Sequence, residues 1–247
     1  MIIEWIGCSG AGKSTLREEV YKNLLSSGVD TYKPLEIFLG KNFSKLIASE
    51  KIRNIILDLI ILPWSLYGVA KHRKFFNYCL KILKRDYSSF WSRIRLLRSI
   101  FRKTGLFIFL NYTNNKNQLI LVDEGTLHIS HLLFANGIKN EVSPNDIKMF
   151  CELVPTPELI IHIMTSKTDA IARTLNRKDK PISDTSPDSL KRFISLGHEI
   201  FNIIDDLNLW DKKTITYYNS NQELASLKKE ALNLTNQILN YFPSLKK

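Results

Sequence analysis

At 247 residues, with 44% apolar and 24% charged residues, the chain can bury a full core and is too balanced in composition to be disordered, collagen-like or a disulfide scaffold. Its formal net charge of +11 is concentrated in one place: eleven Lys and Arg stand between Lys71 and Lys103 against the single acid Asp86, while the other 214 residues are almost neutral. Three isolated cysteines, Cys8, Cys79 and Cys151, form no CxxC and no Cys/His cluster, which argues against a zinc site and suits a reducing cytosol.

The N-terminus lacks the basic-then-apolar form of a signal peptide, so a cytoplasmic protein is expected. Residues 2–6 (IIEWI) read as a strand, a glycine-rich turn follows, and a helix runs from about Lys13 to Ser26 with Leu16, Val20 and Leu24 on one face and Gly28 ending it. Residues 30–38 read as a second strand. Residues 43–104 read as a long helical stretch that Pro63 and Gly68 break into pieces. Within it the apolar run Ile55–Ala70 carries Asp58 and Pro63 and is too short for a membrane span of roughly 18–20 residues. Asn111–Asn117 is a polar loop, and Gln118–Asp123 (QLILVD) has the continuous apolar pattern of a buried parallel strand. Helices are expected over 127–136 and 144–153, the second capped by Ser143. Strand 158–164, helix 169–177, loop 176–187, helix 188–207, strand 214–218 and helix 221–241 complete the chain. Alternation of strand and helix throughout argues a parallel α/β sheet covered on both faces.

Gly7-Cys8-Ser9-Gly10-Ala11-Gly12-Lys13-Ser14, followed by Thr15, fits G-x-x-x-x-G-K-[ST] between an apolar strand and an amphipathic helix. The glycines let backbone N–H groups turn inward around a phosphate chain, and the helix start adds its positive dipole end. Lys13 supplies a cation to the β/γ-phosphates of ATP, and Ser14 a hydroxyl ligand for Mg²⁺. Asp123 and Glu124 stand at the end of the QLILVD strand, where parallel sheets place ligand-binding carboxylates. An acid there joins the Mg²⁺ shell, for which Asp123 is the candidate, or takes the acceptor's proton. Arg173 and Arg177, four apart, are expected on one helix face, with Lys178 and Lys180 following, as a lid that stabilises transferring charge. Cys8 at a helix N-terminus is the place where a thiol pKa would be lowered.

This order of motifs resembles the nucleoside monophosphate kinase group of P-loop kinases, most of all thymidylate kinase, over roughly residues 1–40 and 118–242. The resemblance implies a P-loop NTPase three-layer fold with a five-stranded parallel sheet in order 2-3-1-4-5. It implies ATP and Mg²⁺ as cofactors, Arg173 and Arg177 at the transferring phosphoryl, and Tyr218-Asn219-Ser220 near the adenine. One domain then spans 1–247, with 43–104 as a basic helical insertion and 173–187 as the lid region. Thymidylate kinases carry Asp-Arg at the strand end and Arg-Glu-Pro after the second strand; here Asp123-Glu124 and Tyr32-Lys33-Pro34-Leu35-Glu36 take those places. Glu124 would repel an acceptor phosphate, whereas a carboxylate can orient and deprotonate a neutral hydroxyl. Glu36 resembles the position of the deoxynucleoside kinase base, so Asp123, Glu124 and Glu36 are all candidate bases.

The expected activity is therefore transfer of the ATP γ-phosphoryl to a hydroxyl, with a sugar, glycan or lipid-linked small molecule as acceptor. A thymidylate-like nucleotide kinase is the alternative, and a nucleotide-dependent switch or membrane-binding module is the reading from another class. The basic and aromatic residues of 55–103 suit peripheral contact with an inner membrane surface; a nucleic-acid groove would use the same residue types, and a water-facing helical subdomain would need no partner.

Overall fold

The computed structural model describes residues 1–46, 50–115, 117–137, 141–182, 184–210, 213–219 and 224–245, with side chains 41–54 and 224–225 left aside. Five parallel strands, β1 (Ile2–Ile6), β2 (Thr31–Tyr32), β3 (Leu119–Asp123), β4 (Leu159–Met164) and β5 (Thr214–Tyr218), form one sheet in the order β2-β3-β1-β4-β5. This is the expected order. β1 is central: Ile3 registers with Leu121 on one side and Leu159 on the other, and Trp5 with Asp123 and Ile161. Successive side chains of β1 face opposite ways. Ile3 and Trp5 enter the main core, while Ile2 joins Ile120, Val122 and Leu110 in a second apolar cluster.

Helix α1 (Lys13–Ser26) follows β1 as expected and packs on the last helix, α10 (Leu224–Tyr241). The strand expected over 30–38 is confined to Thr31–Tyr32, because α2 (Pro34–Leu46) begins directly after it. Pro34 takes the first helical position, which suits its fixed φ, and the Glu36 carboxylate accepts the Lys33 N–H at 2.8 Å, half of a capping box. The insertion continues with α3 (Glu50–Lys71), α4 (Arg73–Asp86) and α5 (Phe90–Thr113). Pro63 and Gly68 do not break α3; the turn comes at His72. Gly68 instead lets α5 approach, facing Thr104 and Ile108, and Gly105 of α5 packs directly on Ser65.

Four arginines of the basic run hold the insertion together. Arg85 pairs with Asp86 and with Asp146, tying α4 to α7 (Pro144–Leu153). Asp58 of α3 meets Arg98 and Arg102 of α5. Arg93 donates to the Tyr87 carbonyl at 2.6 Å. Among the described residues no single helix is long and apolar enough to cross a membrane; the pair Ile55–Lys71 and Arg73–Asp86 reaches that length and composition only across a 93° bend.

Beyond β3, α6 (Ile129–Ala135), α7, α8 (Lys167–Leu175) and α9 (Pro187–Asp206) complete the layers. Ser143, Ser166 and Ser186 cap α7, α8 and α9 through side-chain oxygens that accept backbone N–H groups. Ser220 and the expected start of the last helix at Asn221 lie outside the described residues.

Candidate active site

The chain leaves the buried strand β1 at Gly7 and enters α1 at Lys13. Gly10 (φ 83°) and Gly12 (φ 90°) take left-handed backbone conformations that a side chain would strain. Gly12 carries no side-chain cap for α1, so the first N–H groups of the helix face the loop as anion donors. Gly12 also abuts Asn219, in the loop after β5, whose Nδ2 donates to the Ala11 carbonyl at 2.7 Å. This puts the loop expected near the adenine against the phosphate loop. The Lys13 ammonium is buried and donates to the carbonyls of Gly7 (2.9 Å) and Cys8 (3.0 Å), folded back over the turn. Ser9 is half-buried and Thr15 exposed at the rim of the same turn. Arg173 Nη1 donates to the Gly10 carbonyl at 3.5 Å, so α8 brings one guanidinium onto the loop.

Ser14 and Asp123 meet as the sequence requires. The Ser14 hydroxyl donates to Asp123 Oδ2 at 3.1 Å, and Arg17 Nη1 lies 2.9 Å from the same oxygen. The other carboxylate oxygen, Oδ1, is buried with no hydrogen-bond partner. A hard divalent cation suits that set: a hydroxyl, and a carboxylate oxygen with nothing to bind. Arg17, seventeenth in the chain on α1, was not among the expected site residues; its spacing of three from Ser14 was the available signal.

Glu124 takes φ 57°, uncommon for a residue with a side chain and often found where function constrains the backbone. Its side chain is about half exposed (52%), and its Oε1 lies 3.7 Å from His128 Nε2. His128 would pull hardest on the Glu124 carboxyl if that ring were protonated; with the ring neutral, Lys103 and Lys13 are the cations that hold the carboxyl below its ordinary range, against the cost of burial. Burial drives His128 well below the usual imidazole value, so at neutral pH it is an uncharged neighbour. Lys103 reaches in from α5 and donates from its ammonium to the Glu124 backbone carbonyl. Burial lowers the Lys103 pKa, while Glu124 and Glu4 raise it. Lys103 was counted in the sequence only as part of the basic run; nothing local marks it as a site residue.

Below this turn Glu4, in the middle of β1, is 1% exposed. Its Oε1 accepts the N–H groups of Leu127 (2.8 Å) and His128 (3.2 Å). Burial raises its pKa to about 7, opposed by those N–H groups and by Lys103.

The readings of Arg177 and Cys8 are corrected. Arg177 does not share a helix face with Arg173: α8 ends at Leu175, where Lys180 donates to the carbonyls of Thr174 (3.2 Å) and Leu175 (2.6 Å) and closes the C-terminus. Arg177 stands exposed beyond it. Glu36, the third candidate base, accepts the Tyr21 hydroxyl at 2.9 and 3.1 Å and the Lys33 N–H at the start of α2. Cys8 is buried, and that burial raises its thiol pKa despite Lys13 and the helix start. His131 is buried and stacked on Phe193, and burial lowers its pKa to about 4. His162 pairs with Asp205 inside β4.

A cavity of about 390 Å³ opens between α5, α6, α9 and the lid segment, with Ser99, Leu132, Ile182, Arg192 and Phe193 among its walls. Ser99 is four residues from Lys103 along α5, and Leu132 four from His128 along α6. Each is about 6 Å, one helical turn, from the Glu124 cluster.

No family model matches the sequence, and no curated protein resembles it at the level of sequence. Solved structures resemble it in shape. A deoxyadenosine kinase from M. mycoides, with the product dCMP and a flexible dCDP bound, aligns with a TM-score of 0.51 at 17% identity, over 96% of this chain and 100% of that one. The chain has the fold of a P-loop kinase. A second structure of that kinase, with dATP bound, gives a TM-score of 0.49 at 18% identity, over 97% and 99%. Both of these structures are of a deoxyadenosine kinase, not of a thymidylate kinase, the likeness expected from the motif order.

Proposed function

We propose that the protein is an ATP-dependent kinase that transfers the γ-phosphoryl group to the hydroxyl of a nucleoside-type small molecule. The observation that carries this is the convergence of Glu124, Lys103 and His128 one helical turn from a cavity of small-molecule size, beside the phosphate loop. The loop amides and Lys13 would hold the phosphates, Lys13 by exchanging its two carbonyl partners for phosphate oxygens. Arg173 would add a second cation at the transferring group. Ser14 and Asp123 would hold Mg²⁺, whose chemistry is to neutralise charge on the phosphates. Glu124 is ionised at neutral pH and orients the acceptor hydroxyl by accepting its hydrogen bond. A carboxylate so held is a weak base, which is adequate because phosphoryl transfer through a loose transition state asks little of one.

The acceptor expected first, a glycan or lipid-linked molecule, finds no support: the cavity is of small-molecule size, and the fold neighbour acts on a deoxynucleoside. A nucleoside monophosphate is the second reading, favoured by Lys103. Its ammonium stands beside Glu124, so the repulsion of an acceptor phosphate inferred from Glu124 alone is offset.

The test is incubation with γ-labelled ATP and Mg²⁺ together with the four deoxynucleosides, their monophosphates, and a membrane-lipid and glycan fraction, using wild type and Lys13→Ala. Label in a deoxynucleoside, lost in Lys13→Ala, is the expected result. Label only in a monophosphate selects the second reading. Label in the lipid or glycan fraction, or turnover without a labelled acceptor, would overturn both.

A further inference from the structure

The floor of the strand-end turn is built on a carboxylate that the reaction itself does not need. Glu4 belongs to an otherwise apolar central strand, and its side chain is directed at the turn that carries Asp123 and Glu124. Both the Leu127 and His128 N–H groups end on its Oε1. Gly125 packs on the same carboxyl: a Cβ at that position would lie 2.6 Å from Glu4 Cδ and Oε2. Thr126 completes the contact. Its hydroxyl has a single proton, which at 2.6 Å is directed to the Pro155 carbonyl; its oxygen is 3.3 Å from Glu4 Oε2. That second contact is a hydrogen bond when Glu4 carries a proton and donates it. Four consecutive residues, Gly125 to His128, are thus fixed by one buried side chain, and the residue immediately before them is Glu124 at φ 57°.

We propose that Glu4 is a positioning residue of the active site, which sets the backbone of the β3–α6 turn and through it the aim of Glu124. Lys103 is the charged group facing Glu4 from α5, and it is shared with Glu124 and Asp123; His128, from the start of α6, is uncharged. The anchor therefore also connects β1 to the insertion. The proposal rests on the kinase reading for its activity arm only.

The experiment compares wild type, Glu4→Ala and Glu4→Gln in two assays. The first measures kcat, the KM for ATP, and the pH profile of kcat between pH 5.5 and 9, on the acceptor found above. Glu4→Ala is expected to lose about 10–100-fold in kcat, the scale of an ångström-level misplacement, with the KM for ATP changed less than about threefold. Glu4→Gln, whose amide oxygen accepts the same two N–H groups, is expected to recover most of kcat and to flatten the pH dependence near pH 7. The second assay is hydrogen exchange at the Leu127 and His128 amides, with protection kept in Glu4→Gln and lost in Glu4→Ala. It reads the anchor in a protein of any activity, so failure of the kinase reading leaves it standing. Unchanged kcat in Glu4→Ala, or equal loss in both variants with amide protection intact, would overturn the proposal.

Discussion

Replacing Glu4 by Gln should make the protein more stable, and only on the alkaline side. The folded protein holds the Glu4 proton more tightly than the unfolded chain does, its pKa rising from 4.5 to about 7 through burial. A carboxyl shifted upward costs stability as pH rises: the folded state binds the extra proton from about pH 4.5 to 7, and above 7 the full cost of an ionised buried group is present. A rise of that size corresponds to roughly 3 kcal/mol. That figure is already net of the relief from the N–H donors of Leu127 and His128 and from Lys103, and Gln keeps only the N–H pairing. Gln also leaves Lys103 with one carboxylate fewer. A net gain of about 1–3 kcal/mol at pH 8, falling to nearly zero at pH 5, is therefore expected. Urea unfolding of both proteins at pH 5, 6, 7 and 8 measures it directly, with the difference in midpoint widening across that series. A difference that is the same at pH 5 and pH 8 would refute the reasoning, because Glu4 would then have an ordinary pKa and the burial argument would be wrong.

The two arginines should separate. Arg173→Ala is expected to lower kcat by about 100-fold, the scale for removing one charge-stabilising donor, while Arg177→Ala changes it less than about threefold, since Arg177 is exposed beyond α8; steady-state kinetics with saturating ATP decide. Gly105→Ala places a Cβ 2.8 Å from Ser65 Cα and Cβ and closer still to its hydroxyl, so it should cost about 1–3 kcal/mol in urea unfolding. Ser65→Gly in the same chain should return part of that, because it removes Cβ and Oγ but not Cα. Cys8 should resist a thiol reagent at pH 7.5 in the native protein and react on unfolding, and mass spectrometry of the alkylated peptides reads the difference.

What could be read in the sequence follows the range of the interactions involved. The phosphate loop is a local pattern, eight residues long, and the structure forms it where the pattern stands. Serine caps before α7 and the strand pattern of 118–123 are equally local. The second strand was read too long because apolar residues over 30–38 outweighed Pro34 and Glu36, which are a helix start signal at their spacing. Pro63 was given too much weight: one missing N–H within a 22-residue helix whose buried face packs on α5 does not stop it. Arg177 failed for a reason no spacing rule carries, the closure of α8 by Lys180. Lys103 was out of reach altogether, since its neighbour Glu124 is 21 residues away and the contact exists only because α5 returns across the end of β3. Glu4 drew no role from the sequence: it is a carboxylate in IIEWI, but the turn it holds lies more than 120 residues on.

Five of the eleven cations in the basic run have a place in the framework or the candidate site. Arg85 fastens α4 to α7, Arg98 and Arg102 fasten α5 to Asp58 on α3, and Arg93 closes the turn between α4 and α5. The last cation of the run, Lys103, leaves this framework and enters the site. Two residues further on, Gly105 is pressed against Ser65, so the position of Lys103 depends on how closely α3 and α5 meet. The insertion is thus one wall of the site, with its distance from Glu124 set by helix packing. On the other wall, Arg173 comes from α8 and is placed by contact with Gly10 and the Gly12–Asn219 junction. On the proposed reading, the phosphate side is a local turn braced by long-range contacts from Arg173 and Asn219, and the acceptor side is placed by helix packing. A substitution in the α3–α5 seam should accordingly disturb the acceptor KM before it disturbs the KM for ATP.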